Sequence, residues 1–455
     1  MKDLPPLETL SSAEKDALIR ELWQRLQALE QKGRQSTQKR VKKTSRNSSL
    51  PPSKGFKPNQ SQRHSPAASS ANPAKHREGG RELSHNPDQV VIARPKTCPH
   101  CGETVAESSQ KLRGIYERIE LPPVQAHITQ VHRYGGVCPC CEQSYDAPVP
   151  MGLEPGSPFG NSVASLVTDL RYGHAVSYQR LQQLMDELYG LSLSQGAIAN
   201  LLQRVKTRLE NPVQQIVERL RRSRVVGSDE TSARVKGQNY WEWVFQNEQV
   251  CLHVIRPSRS KAVIHEVMDG HHPAVWLSDL FSSQAANPGD DWQVCLAHQL
   301  RDCQYAIDTG DDVFAPRMKR LFLKAIALQR RRHRLADSTV QQYGSRFRGS
   351  LREILNLNPT TEDGQRLLKR YRKIQDHLLL FLMHEDVPPT NNASEQALRW
   401  STVFRKVTNG FRSEWGADLF ADVRSLVNTA QRQGMSAFDA ICRAITSPQT
   451  DWLLG

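Results

Sequence analysis

The period of the hydrophobic positions changes several times along the chain, and each change marks a different kind of element. Leu18, Leu22, Leu26 and Leu29 recur at spacings of three and four, with Ile19 and Trp23 beside them and Ser11 or Ser12 placed to cap. They predict an amphipathic helix over residues 11–32. It either docks on the main body or self-associates, because a helix this short is marginal alone. The apolar pattern then lapses. From residue 158 to about 222 it is helical, with an amphipathic helix over 178–189, a turn at Gly190-Leu191-Ser192-Leu193, and a second helix capped by Ser194 and running to about Leu209. Helix, short glycine turn and capped helix is a helix-turn-helix outline, shared with helical hairpins that bind nothing.

From Arg224 the period becomes two. Val225-Val226 opens a strand, Tyr240 to Phe245 form a second and Gln249 to Ile255 a third, with a tight turn at Asn247-Glu248. A helix over 261–268, a strand ending at Asp279, a further helix and the strand Gln293 to Ala297 complete the order of an RNase H-like core. Helices are predicted over 299–307, 313–334, 338–355 and 361–384, closed by Pro388-Pro389. They interrupt the core as an insertion of about 310–388. Asn391 or Asn392 then caps another helix, and helices over 414–433 and 436–446 end the pattern.

Charge adds a partner class. Lys and Arg number 61 against 47 Asp and Glu, a formal net charge of +14, which favours a polyanionic partner. Between Gln31 and Arg77 there is no acidic residue. Lys39, Arg40, Lys42 and Lys43 stand there among Ser, Asn, Pro and Gln, a composition that cannot bury enough apolar surface to fold alone. The stretch reads as a disordered basic linker making DNA-backbone contacts. The first residues lack the apolar core of a signal peptide, and Leu378 to Met383 is too short to span a bilayer. A cytoplasmic, bacterial, nucleoid-associated protein with no membrane contact is expected.

A reducing compartment turns the nine cysteines towards metal binding. Cys98-Pro99-His100-Cys101 and Cys138-Pro139-Cys140-Cys141 are two C-x-x-C knuckles, and thiolates at that spacing can share one tetrahedral zinc ion. Cys98, Cys101, Cys138 and Cys141 are the expected ligands of one structural Zn²⁺. Cys140 competes, and spacing favours Cys141. Ile119, Val124, His127, Ile128 and Val131 between the knuckles suggest the short strands of a zinc ribbon. Cys251, Cys295, Cys303 and Cys442 read as ordinary buried or scattered residues.

Apolar runs lead directly into Asp229 and Asp279, placing both at the rim of a sheet, and Glu395 falls in the first turns of a helix. Hard oxygen ligands suit Mg²⁺ or Mn²⁺, and two such ions flanking a phosphate activate the attacking oxygen and stabilise the leaving one. Alternation turns Glu230 away from Asp229, while Asp290 and Asp291, the alternatives to Asp279, lie in a Pro-Gly loop expected to be solvated. His298 opens a helix where it would orient a phosphate or serve structurally. Arg399, one turn after Glu395 on the same face, would steady that carboxylate or touch DNA. Arg405 and Lys406 extend the basic surface.

Taken in order, the leucine-rich helix, Arg46-Asn47-Ser48-Ser49-Leu50-Pro51-Pro52-Ser53, the knuckles, Ser228-Asp229-Glu230-Thr231, Cys295-Leu296-Ala297-His298 and Asn391 through Arg399 form a series. It continues through Phe404-Arg405-Lys406 to Ser425-Leu426-Val427-Asn428-Thr429-Ala430. In this the chain resembles the large DDE transposase subunit of the insertion-sequence family sixty-six over nearly its whole length. The resemblance implies a catalytic triad of Asp229, Asp279 and Glu395 holding two Mg²⁺ or Mn²⁺ ions. It also implies cleavage at inverted-repeat ends and strand transfer into target double-stranded DNA, by a homodimer or higher oligomer, with accessory proteins of the same element. A metal-dependent nuclease of the same fold and an inactive transposase-derived DNA-binding protein are the alternatives.

The expected fold is multidomain α+β. Residues 1–32 form the leucine-rich amphipathic helix, 33–89 the basic linker, 90–150 the zinc ribbon and 158–222 the helical DNA-binding region. Residues 223–435 form the RNase H-like domain with its all-helical insertion, and 436–455 a C-terminal helix and tail.

Overall fold

The computed structural model describes residues 11–36, 43, 47, 82–122, 124–286, 288–447 and 453. Lys39, Arg40 and Lys42, with most of the predicted linker, lie outside the described residues. Lys43 and Asn47 of the linker lie within them. The Lys43 ammonium sits 5.1 Å from the centre of the Tyr305 ring, and Asn47 Nδ2 donates to Asp308 Oδ2 at 2.8 Å.

Helix α1 spans Ser12–Ser36, and its apolar side chains Ile19, Leu22 and Trp23 are exposed. The cysteine-bearing segment holds one small antiparallel pair, β1 (Gly135–Val137) with β2 (Ser144–Asp146), and a bridge between Thr97 and Thr104. The strands expected around Ile119 to Val131 do not form among the described residues there. Ile119, Val124, Ile128 and Val131 are all exposed, so no buried face holds them in register.

Helices α2 (Asn161–Thr168), α3 (Tyr178–Tyr189) and α4 (Gln195–Arg221) follow. Ser177 and Ser194 cap the latter two through side chains that accept from Arg180 and Ala197 backbone N–H groups. Helix α4 runs twelve residues beyond its expected end at Leu209 and carries Pro212 in its interior. Proline removes a hydrogen bond there, but Ile216 and Leu220 continue the buried stripe of Ile198, Leu202, Val205 and Leu209. Packing outweighs the local break. These helices share one hydrophobic cluster with the sheet that follows, so the described residues 158–222 are built onto the core.

The sheet has five strands: β3 (Val225–Val235), β4 (Gln238–Gln246), β5 (Cys251–Arg256), β6 (Val275–Ser278) and β7 (Asp291–Val294). Their order is β5-β4-β3-β6-β7, antiparallel from β3 to β5 and parallel from β3 through β6 to β7. Helix α5 (Lys261–Met268) lies between β5 and β6. Among the described residues only a 3₁₀ turn, Gln284–Ala286, lies between β6 and β7, where a helix was expected. Its Gln284 is buried and bonded to Ser228, Glu230 and Trp276. Trp243, Phe245 and Trp276 fill one face of the sheet, all fully buried.

Helix α6 (Leu296–Asp308) leaves β7. The insertion then packs α7 (Ala315–Arg331), α8 (Asp337–Leu355) and α9 (Glu362–Lys373) around a second cluster centred on Phe314, Phe322 and Tyr371. The helix expected over 361–384 stops at Lys373, and two 3₁₀ turns, Gln375–His377 and Leu380–Leu382, follow instead. Gln293 of β7 explains the break: its Nε2 donates to the Leu378 carbonyl at 3.4 Å and its Oε1 accepts from Phe381 N at 2.9 Å. A run apolar on every side is held by the sheet. Helices α10 (Asn392–Thr408), α11 (Glu414–Arg432) and α12 (Ala437–Thr446) complete the body. This mixed α+β arrangement is consistent with an RNase H-like core carrying helical insertions. No helix among the described residues is long and apolar enough to cross a membrane.

Candidate active site

Three remote stretches meet at one edge of the parallel half of the sheet. Parallel pairing of β3 with β6 is last recorded at Gly227 and Leu277. The same register carried two residues on sets Asp229 beside Asp279. Helix α10 lies on the face of β3 that Gly227 and Asp229 share. Asn391 Nδ2 donates to the Ser228 carbonyl at 2.7 Å, and the Ser394 hydroxyl donates to Asn391 Oδ1 at 2.7 Å. Gly227 allows this approach, since a Cβ there would stand 2.6 Å from Gln246 Nε2 and 2.9 Å from Asn391 Oδ1. These contacts hold the start of α10, which carries Glu395, against the strand that carries Asp229.

Asp229, Asp279 and Glu395 are each half-buried. Burial pushes the Asp229 carboxyl well above the usual range, and the charges of Glu230, Asp279 and Glu395 push it the same way, while the Glu230 N–H opposes them. Asp229 therefore feels both other members of the triad. The three do not have ligand oxygens all within 4.8 Å of one another. Glu230 points away, as alternation requires, and is buried against Arg259 and Gln284, each at 2.8 Å. Asp290 and Asp291 are exposed.

Glu395 has closer partners on α6. Arg301 Nη2 lies 3.4 Å from its Oε2, and His298 Nδ1 lies 3.7 Å from its Oε1. The latter two atoms are both buried and have no hydrogen-bond partner. Cys295 joins them: one ligand atom from each of Cys295, His298 and Glu395 lies within 4.8 Å of the others. Its thiol is pushed up to about 11 by burial, although it accepts the Asn391 N–H at 3.1 Å. Cys295 is thus not the ordinary buried cysteine expected. The role expected of Arg399 also moves. Arg399 is exposed and makes no ion pair or hydrogen bond among the described residues, and Arg301 takes the carboxylate instead. The signal was the spacing of His298 and Arg301, three apart on one helical face.

Cys295, His298 and Glu395 form a mixed thiol, imidazole and carboxylate cluster that could hold a metal ion. Two buried orphan atoms face each other, and mutual repulsion among carboxylates is what a bound cation relieves. A cavity of about 440 Å³ opens beside the site, lined by Asp279, Phe281, Trp292, His298, Asp302 and Arg370. Arg370 of the insertion pairs with Asp302 of α6 and so ties the insertion to this wall.

The cysteine knuckles fold alike. Gly102 N donates to the Cys98 carbonyl and Glu142 N to the Cys138 carbonyl, both at 2.9 Å, with Gly102 and Glu142 in the left-handed region. Backbone N–H groups of His100 and Cys101 hold the Cys98 thiol below its usual value, and those of Cys141 and Cys140 do the same for Cys138. Each knuckle is therefore prepared for thiolate. Among the described residues no three of these sulfurs lie within 4.8 Å of one another. Arg405 Nη1 donates to Ser232 Oγ at 2.9 Å, and Lys406 is exposed.

Over 90 residues the chain is 33% identical to "Uncharacterized protein y4jO" of Sinorhizobium fredii (strain NBRC 101917 / NGR234), covering 20% of this chain and 28% of that protein. The chain thus matches little more than a quarter of that relative's length. A family model described as "Transposase IS66 family" matches residues 156–419. That span is more than half of the chain and holds the sheet, the insertion and all three acidic residues, so the chain belongs to the transposase IS66 family.

Proposed function

We propose that this protein is a DNA transposase that cuts at the ends of its element and joins them to target DNA. The reading is supported by the family match over residues 156–419 and by Asp229 feeling the charge of both Asp279 and Glu395. The three carboxylates would hold two Mg²⁺ or Mn²⁺ ions, which when bound acidify an attacking hydroxyl and offset charge on a leaving oxygen. Arg301 positions Glu395, and His298 faces the same carboxylate from the cavity side.

In the first reaction a water oxygen bonds to phosphorus as the P–O3′ bond breaks. The 3′ oxygen takes a proton, leaving a 3′-hydroxyl on one fragment and a 5′-phosphate on the other. In the second that 3′-hydroxyl attacks a target phosphodiester in line, and the displaced 3′ oxygen leaves, with no covalent enzyme intermediate. The knuckle cysteines Cys98, Cys101, Cys138 and Cys141 would hold one structural zinc. That module and the α3–α4 hairpin would recognise terminal repeats, and Arg399, Arg405, Lys406 and the basic linker would contact phosphates. Pairing of two ends requires a dimer or larger assembly.

The test is strand transfer with pre-cut DNA ends taken from the inverted repeats that border the gene. Joined product in wild type, absent in Asp229→Asn, is expected. Hydrolysis without joining would establish a nuclease, and transposition by Asp229→Asn would establish a non-catalytic DNA-binding protein.

A further inference from the structure

A second cleft, of about 1000 Å³, lies across α10 from Glu395. Ala393, Gln396 and Ala397 line it from α10, and Gly227 lines it from β3, two residues before Asp229 or about 7 Å along the strand. On a helix, Ala393 and Ala397 face opposite Glu395, with Gln396 on the flank between. The cleft and the carboxylates therefore share a wall without sharing a cavity.

The cleft is basic. Arg219, Arg222, Arg224, Arg424 and Arg432 line it against two acids, Glu248 and Asp386. Asp386 is already paired with Arg224. Arg219 donates to Gln249 Oε1, and Arg432 to Gln246 Oε1 and the carbonyls of Asn247 and Asn428, all neutral acceptors. Among the described residues none of Arg219, Arg222, Arg424 and Arg432 has a carboxylate within ion-pair distance.

Arg424 is the informative member. It is only 8% exposed, yet it lines the cleft. One nitrogen donates to Asn428 Oδ1 at 2.7 Å, and its buried Nε has no partner. Glu242, the acid whose charge it feels, is engaged by His253 at 2.9 Å and Ser401 at 2.6 Å. Burial lowers the proton affinity of this guanidinium. A buried cation without a matching anion is costly, and its place in an open cavity leaves a position for an anion from outside.

The shape selects among anions. Phosphates along a duplex lie on a convex surface and cannot reach a floor residue this deeply covered. A terminal phosphate can, and carries more charge. We propose that this cleft binds the terminal 5′-phosphate of a cleaved DNA strand, with Arg424 at its floor and Arg222 at its mouth. The assignment rests on the cleavage reading above, which generates that end, but its residues are separate from the triad.

The test uses the full-length protein and two single-stranded oligonucleotides of one sequence, with a 5′-phosphate or a 5′-hydroxyl, compared by fluorescence anisotropy in magnesium-free buffer. Wild type should bind the phosphorylated strand about tenfold more tightly. Arg222→Ala, an exposed change that leaves the core intact, and Arg424→Gln should both lose that preference, whereas Asp229→Asn should keep it. Equal binding of the two strands by wild type would overturn the proposal. So would a mononucleotide or inorganic pyrophosphate that binds as tightly as the phosphorylated strand, because the cleft would then serve a small molecule. A wild type that prefers the phosphorylated strand but joins no pre-cut ends would uphold the cleft while removing the catalytic reading.

Discussion

Burial, and after it the charges of Glu230, Asp279 and Glu395, keep the proton on Asp229, with measurable consequences. Asp229 holds its proton more tightly in the folded protein than in the unfolded chain. Metal-free protein should therefore lose stability as pH rises from the ordinary carboxylate range through the raised value. Added Mg²⁺ competes with that proton. Thermal melts between about pH 4 and pH 8 should show Mg²⁺ stabilisation growing with pH; a constant Mg²⁺ effect would contradict this. The two arginines near Glu395 should also separate. Arg301→Ala removes the residue 3.4 Å from the carboxylate and should lower turnover about 10- to 100-fold. Arg399→Ala should leave turnover in saturating DNA nearly unchanged and reduce the salt dependence of binding. The three positions stand out in the sequence because two end apolar runs and the third falls in the first turn of a helix, although β3 runs on to Val235 and so carries Asp229 within the strand rather than at its end. Helical spacing from Glu395 points to Arg399, while only the packing of α6 against α10 brings Arg301 to the carboxylate.

At the scale of elements, the decisive contact is α10 on β3. Gly227→Ala would drive a methyl group into Gln246 and Asn391, both hydrogen-bonded beneath α10. Denaturant melts should show a loss of about 1–3 kcal/mol, and turnover should fall because Asn391 precedes the helix carrying Glu395. Unchanged stability and turnover would mean that α10 is not held as described. Caps and periodicity made most elements readable. Ser177, Ser194, Ser260, Thr361, Ser413 and Ser436 each cap a helix through a side-chain acceptor. The misread ends have tertiary causes. Pro212 stays helical because Ile216 and Leu220 are buried, and Leu378 to Met383 leaves the helix because Gln293 captures its backbone. Gln293 lies 85 residues from Leu378 in sequence.

At the scale of the whole molecule, the sheet, α2–α4 and the closing helices share one core, while the insertion has its own. The cysteine segment buries almost nothing: Tyr116, Leu121, Val124 and Ile128 are all exposed. A segment with so little apolar burial needs another source of order. Purified full-length protein should therefore carry about one zinc per chain, and Cys98→Ser with Cys138→Ser should lose the metal and become protease-sensitive between residues 90 and 150. Retained zinc in that variant would contradict the assignment. The central claim concerns the acidic residues. Mn²⁺ binding to zinc-loaded protein, followed by electron paramagnetic resonance, tests it most directly. The account predicts about two Mn²⁺ per chain in wild type, with site binding lost when Asp229, Asp279 and Glu395 are all changed to their amides. Equal Mn²⁺ binding by the wild type and that triple variant would contradict it.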